Sequence, residues 1–292
     1  MGTSSTMRRL GIILFATVAL LGSLAGHAAE LGPAGLRARF AALRGELARN
    51  ALGAPLHLES AEAPRRIEGD MYAVVDQPFA TTAKVLGDPG QWCDILILHL
   101  NNKYCRRSLQ QGPTTIDLRV GKKQEQAVAD ASLLHFVWEP PKMQTDYLRV
   151  RMTAADGPYD TRDYAILVEA VPLEGDRTFL HLGYAFGYGG ASHFALHLYL
   201  ATVGRDKVGF SRTGEGSYVG GMRGVAERNL MRYYLAIEAY LHSLAAPPPR
   251  QLDARLEAWF DATERYPRQL HELDRADYLR MKQSEVRRMA AR

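Results

Sequence analysis

Cysteine is nearly missing from this chain. Two residues, Cys93 and Cys105, occur in 292, and no CxxC pair is present. A four-cysteine zinc site and a CxxC redox centre are therefore excluded. Also missing is the GxSxG of a nucleophile elbow, as are internal repeats, low-complexity blocks and a large excess of one charge. The formal net charge is +4, from 36 Lys and Arg against 32 Asp and Glu. No basic stripe stands out, so the chain lacks the footprint of a nucleic-acid binder. Long apolar runs are confined to one, Leu10 to Ala25.

That run has the form of an address. Arg8 and Arg9 precede it, and Gly26-His27-Ala28 supplies small residues at the cleavage positions, the three-part pattern of a secretory signal peptide cut after Ala28. A membrane anchor is the alternative, but the run falls short of the ~20 residues that span a bilayer. No cysteine follows it to carry a lipid. The expectation is an exported, periplasmic protein starting near residue 29, with a net charge of about +2 once the two leader arginines are gone. In an oxidising compartment Cys93 and Cys105 read most simply as one disulfide, closing a loop of about a dozen residues and contributing roughly 2–3 kcal/mol. Two buried thiols or a metal pair are the other readings.

The division expected is a signal peptide over 1–28, an N-terminal helix within 29–55, a sheet-and-helix domain over 56–245, and a proline linker with a helical tail over 246–292. Leu36, Phe40, Leu43 and Leu47 give the first helix its apolar stripe. Residues 66–75 read as a strand, preceded by a shorter one at Leu56 to Glu59. A short helix opened by Pro78 then ends at Gly87-Asp88-Pro89, and Trp92 leads into a second apolar run, Ile95 to Leu98. From 99 to 203 strands dominate: 115–120, 132–138, 147–152, 164–171, 178–186 and 194–203. The turns between them are expected at Gly121-Lys122-Lys123, Glu139-Pro140-Pro141, Asp156-Gly157-Pro158, Glu174-Gly175-Asp176 and Gly187 to Gly190. With no helix between strands, this is an antiparallel meander. Leu148, Val150 and Met152 alternate with Tyr147, Arg149 and Arg151, which predicts one dry and one wet face. The strongest helix runs from Gly221 to Ser243, with Met222, Val225, Asn229, Tyr233, Ala236 and Tyr240 on one stripe. Pro247-Pro248-Pro249 then stiffens a linker.

This order, with Asp76-Gln77-Pro78-Phe79 opening a helix and Asp88-Pro89-x-x-Trp92 after it, resembles the START-domain branch of the Bet v 1-like (SRPBCC) superfamily over residues 34–245. The resemblance implies an α+β helix-grip fold, a curved antiparallel sheet wrapped on a long C-terminal helix, and a lipid, sterol or other apolar molecule held between the two. Other members of the superfamily are cyclases, hydrolases or hormone receptors, so an enzyme acting on a lipid or polyketide-like substrate is the rival reading. A non-catalytic envelope interaction protein, its cavity filled by side chains, is a third.

Candidate ligand-binding residues are Asn229, Tyr233, Met222 and Ala236 on the long helix, together with Trp92; no catalytic residue, metal or cofactor is called for. Apolar pockets place a few polar groups to orient a ligand, and Asn229 and Tyr233 fit that role. His193 and His197, four apart on an expected strand, share a face, with His181 as the one obvious third metal ligand, but the preferred reading places them on a wet sheet face. Gly183, Gly187, Gly189 and Gly190 lack a following helix that could cradle a phosphate, and read as a hairpin using positive φ. Asp70, Glu139, Asp163 and Glu169 are scattered, with Arg149, Arg151 and Arg162 as ordinary partners. The tail over 250–292 offers a lid on its own domain, a docking segment for a protein partner, or a transient membrane contact through Trp259-Phe260. Packing on its own domain is expected.

Overall fold

The computed structural model describes residues 30–109, 112–190 and 207–291. The leader, His193, His197 and the strand expected at 194–203 lie outside them. Eight strands form one antiparallel sheet: β1 (Leu56–Ala63), β2 (Arg66–Val75), β3 (Asn102–Ser108), β4 (Thr115–Val120), β5 (Ser132–Gln144), β6 (Tyr147–Asp156), β7 (Thr161–Leu173) and β8 (Arg177–Tyr188). Their order is β1-β2-β8-β7-β6-β5-β4-β3, so the last strand closes beside the second and β1 and β3 form the edges. Among the described helices are α1 (Gly32–Ala48), α2 (Phe79–Leu86), α3 (Pro89–Leu96), α4 (Gly221–Ser243), α5 (Gln251–Glu264), α6 (Pro267–Leu270) and α7 (Arg275–Ala290). This is the helix-grip architecture, a curved sheet closed on a long C-terminal helix.

The grip is built from alternation. On β2, Met71, Ala73 and Val75 point inward to the main core with Leu230, Leu235 and Ile237 of α4. At Gly69 a Cβ would sit 3.2 Å from the Leu230 side chain, so the missing side chain lets α4 lie close across β2. Sheet curvature accompanies irregularities in pairing at Asn102/Tyr104, Glu139/Lys142 and Arg162/Ala165. The second of these corrects the turn expected at Glu139-Pro140-Pro141. β5 continues through both prolines to Gln144, and the hairpin turns between Gln144 and Tyr147. Prolines that cannot donate to a ladder are accommodated where the register shifts.

The expected wet face is not uniformly wet. Helix α1 lies across it, and Leu36, Leu43 and Leu47 form a second core with Tyr72, Val74, Tyr147, Val171 and Phe179. Tyr147 and Arg149 are therefore buried along with Leu148, Val150 and Met152. Alternation in the sequence marked two faces correctly, but a helix far away in sequence covers the polar one. The glycine-rich stretch also differs from expectation. Gly183 and Gly187 are strand residues of β8, paired with Asp70 and Arg66, and none of Gly183, Gly187, Gly189 and Gly190 has a positive φ. Gly189 is required for closeness instead, since a Cβ there would fall 1.7 Å from the Asp160 carboxylate.

The Asp88-Pro89 motif forms as expected. Asp88 caps α3 by accepting from Gly90 N at 2.7 Å, and Gln91 Nε2 donates to its other oxygen at 3.0 Å. These bonds, ahead of the Arg107 charge, hold its carboxyl below the usual range. Helix α3 contains Ile95 and Leu96, so the second apolar run begins helical rather than extended. Cys93 and Cys105 form a disulfide with Cα atoms 5.3 Å apart, joining α3 to β3.

The tail packs on its own domain. Trp259 is 1 % exposed, stacks on Tyr278 at 4.9 Å and donates to the Arg232 carbonyl at 3.1 Å. The Trp259-Phe260 pair is thus used internally, Phe260 lying against Tyr278 as well. Among the described residues no helix is long and apolar enough to cross a membrane.

Candidate functional site

Between α3, the inner face of the sheet and α4 lies a small apolar cavity. Trp92 and Leu96 of α3, Leu182 and Tyr184 of β8, and Leu230 and Tyr233 of α4 are among its walls. The Trp92 side chain is fixed by its N–H, which donates to the Leu86 carbonyl at 2.8 Å, and by edge-on contact with Trp138. The cavity measures about 10 Å³, roughly the space of one water. A site for a drug-sized molecule needs about 300–1,000 Å³. The interior between sheet and α4 is therefore filled by side chains in this structure, its walls in contact.

One end of this interior is polar. Tyr233 stacks on His99 at 4.8 Å and lies 6.2 Å from Tyr184. Asn229, one turn before Tyr233 on α4, lies beside both His99 and Tyr184, and the Asn102 amide lies beside the Tyr233 hydroxyl. Burial lifts the Tyr184 phenol well above its ordinary range and Tyr233 to about 12, so both remain neutral hydroxyls. His99 is 2 % exposed. Burial first, then the charges of Arg232 and Lys282, push its pKa well below the histidine norm, and the ring is neutral. Its Nδ1 accepts from the Asn101 backbone at 3.1 Å, which places the proton on Nε2. The Asn229 side chain hydrogen-bonds this ring, and Asn102 donates its amide N–H to the Leu96 carbonyl at 2.6 Å.

Of the five residues expected to bind ligand, Trp92 and Tyr233 line the cavity and Asn229 stands at its polar end. Met222 and Ala236 lie in the main core beyond those walls. Along α4, Val225, Asn229 and Tyr233 are half-buried while Met222, Ala236 and Tyr240 are buried. Sequence reasoning missed His99 and Asn102, which follow the apolar run at Ile95 to Leu98. The available signal was a histidine and two asparagines crowded directly after that run.

A histidine between carboxylates also occurs, but on the other face. His181 lies 2.7 Å from Asp70 and 2.9 Å from Glu169, beneath α1, with Tyr72 stacked on its ring at 4.6 Å. Glu169 also accepts from Tyr147 Oη and from the backbone of Leu31 and Gly32, capping the first turn of α1. Burial opposes both charges, yet the hydrogen bonds prevail: His181 is raised and Glu169 lowered. With both ring nitrogens engaged, His181 is no longer free to join a metal site. No group of three His, Cys, Asp or Glu suited to a metal exists among the described residues. Glu139 pairs with Arg149 and Arg151, and Asp163 with Arg162, the arginine partners expected for them.

No protein-family model matches this chain, and no curated protein matches it. Among solved structures it is similar to Ara h 8.0201, at 12% identity over 64% of this chain and 99% of that one, with a TM-score of 0.34. It is also similar to the Zhui aromatase/cyclase from Streptomyces sp. R1128, at 15% identity over 73% and 96%, TM-score 0.30. Norcoclaurine synthase from Thalictrum flavum aligns at 11% identity over 51% and 76%, TM-score 0.30. These are proteins of the Bet v 1-like kind. At such scores the likenesses add no weight of their own, and the fold rests on strand order, register and the packing of α4.

Proposed function

We propose that the protein is exported to the periplasm and holds a hydrophobic, lipid-like ligand between its sheet and α4, without altering it chemically. The observation that supports this reading is the graded wall of that interior, apolar at Trp92, Leu96, Leu182 and Leu230 and polar at Tyr184, Tyr233, Asn229 and His99. Such a gradient solvates an amphipathic molecule in one orientation. The driving force would be desolvation, about 0.8 kcal/mol for each CH₂ buried. Because the cavity admits no more than a water, uptake requires its walls to separate.

The Tyr233→Trp variant tests this reading. A larger ring in a cavity already closed is expected to abolish uptake of a fluorescent fatty acid while the far-ultraviolet circular dichroism stays native. Uptake equal to wild type in a folded variant overturns it. The cavity volume itself favours a second reading, an envelope protein with a side-chain-filled core that acts through its surface. That reading predicts no uptake by wild type.

A further inference from the structure

The part of the sheet that α1 leaves uncovered carries a cleft of its own. The core beneath α1 draws on β2, β6, β7 and β8. On β3, β4 and β5, Cys105, Leu118 and Leu134 turn into the main core, and the residues on either side of each turn to the opposite face. Two rows therefore cross that outer face: Tyr104, Arg119 and Leu133 in one, Arg106, Asp117 and His135 in the next. A cleft of about 500 Å³ lies over them, bounded by Val128 and Ala129 of the β4–β5 connection. That volume falls within the roughly 300–1,000 Å³ of small-molecule sites. The sheet–helix interior, by contrast, holds about 10 Å³.

Hydrogen bonds hold the wall of this cleft in place. Gln126 bridges the β4–β5 connection, accepting from Lys122 N at 2.7 Å and donating to the Asp130 carbonyl at 2.8 Å. Arg119 Nη1 donates to the Ala131 carbonyl at 3.0 Å, which ties the single helical turn Val128–Asp130 to β4. The carboxylate in the cleft is already shared: Asp117 lies 3.1 Å from Arg106 and 2.6 Å from His135. Burial opposes its charge, yet hydrogen bonds from His135 and Arg106 hold its carboxyl below the usual range. Arg119 pairs with no carboxylate among the described residues. Its guanidinium lines the cleft beside the apolar Val128, Ala129 and Leu133. An arginine engaged by one carbonyl keeps the other donors of its planar fork for an anion, and its plane stacks on flat rings.

We propose that this cleft is a separate binding site for a small aromatic acid, whose acid group meets Arg119 and whose ring lies against Leu133 and Val128. Charge complementarity selects the class. A cation would face Arg119 and Arg106, and a purely apolar molecule would leave the guanidinium without a charged partner. Arg106, 65% exposed at the rim, adds a second positive charge, which Asp117 partly holds back. The site lies on the opposite face of the sheet from α4, so it does not rest on the reading of the sheet–helix interior as a ligand site.

The test titrates the full chain at pH 7.5 with two fluorescent probes that share their rings, 8-anilinonaphthalene-1-sulfonate and the uncharged N-phenyl-1-naphthylamine. Wild type is expected to bind one sulfonate per chain, at least about tenfold more tightly than the amine, the contribution of one charge-assisted hydrogen bond. Arg119→Gln should bring the sulfonate down to the amine and leave the amine unchanged. Leu133→Ser, at a position 44% exposed, should weaken both probes. Asp117→Asn should tighten the sulfonate alone, because the carboxylate competing for Arg106 is removed, and a gain of this kind does not arise from misfolding. Melting curves establish that each variant is folded. Equal binding of the two probes by wild type overturns the inference, as does a folded Arg119→Gln that binds the sulfonate like wild type. Either result leaves the reading of the sheet–helix interior untouched.

Discussion

Replacing Glu285 by Gln removes one negative charge from between two buried ammonium groups. Lys282 Nζ also donates to the His99 and Asn102 carbonyls at 2.7 and 2.8 Å, and Lys103 Nζ to the Leu100 carbonyl at 2.9 Å. The glutamine keeps an acceptor but leaves both cations without an anion, a change that costs about 3–5 kcal/mol when a buried charge is stranded. The lower end is expected, because the carbonyls remain and the lysines can shed protons. Burial already holds Lys282 at about 8, Glu285 working against that shift. Without Glu285 the folded-state value falls further. For a lysine depressed in the folded state, the penalty is full at low pH and is relieved as pH rises through the folded pKa. In wild type that relief starts near pH 8; in the variant it starts lower. The difference in unfolding free energy should therefore be about 3 kcal/mol at pH 6 and under about 1 kcal/mol at pH 9. Urea unfolding followed by the fluorescence of Trp92, Trp138 and Trp259 measures it at both pH values. A difference below about 1 kcal/mol at pH 6, or one that does not shrink by pH 9, refutes the reasoning. Because α7 carries Lys282 and Glu285, tail and domain should unfold in one transition.

The network under α1 makes a second pH-dependent prediction. His181 is raised in the folded state, so its contribution is complete below about pH 6.5 and is lost as pH rises through its folded pKa. Glu169 is lowered, so its contribution is complete above about pH 4.5 and is lost on acidification. The His181→Gln variant should lose stability most between those values, about 2–3 kcal/mol from two charge-assisted hydrogen bonds, with the gap narrowing toward alkaline pH in urea titrations. A gap independent of pH contradicts this. The Cys93→Ser/Cys105→Ser variant should cost about 2–3 kcal/mol, the value of a loop of a dozen residues. Thermal melting of both proteins under non-reducing conditions checks it, and equal melting temperatures contradict it.

Much of the fold was readable because local chemistry and tertiary position agreed. Residues 66–75 alternate and form β2; Gly221 to Ser243 carries a helical stripe between a glycine-rich loop and a triple proline, and forms α4. Asp88-Pro89 names a helix start by its own capping chemistry. The failures came where distant residues decide. Nothing in β6 announces that α1 will cover Tyr147 and Arg149, and the two prolines of β5 read as a turn until a register shift absorbs them. Half of the candidate site was legible through the periodicity of α4. His99 and Asn102 were not, because they come from the connection after α3 and the start of β3. Sequence spacing cannot show that these segments meet α4.

The central claim is that the interior between sheet and α4 opens to take one amphipathic molecule. Native mass spectrometry of the protein titrated with an 18-carbon fatty acid measures this most directly. The account predicts a single adduct of one fatty acid per chain, saturating at one equivalent and lost in Tyr233→Trp. A spectrum that stays at the mass of the bare chain, or acquires a ladder of adducts identical in the variant, contradicts it.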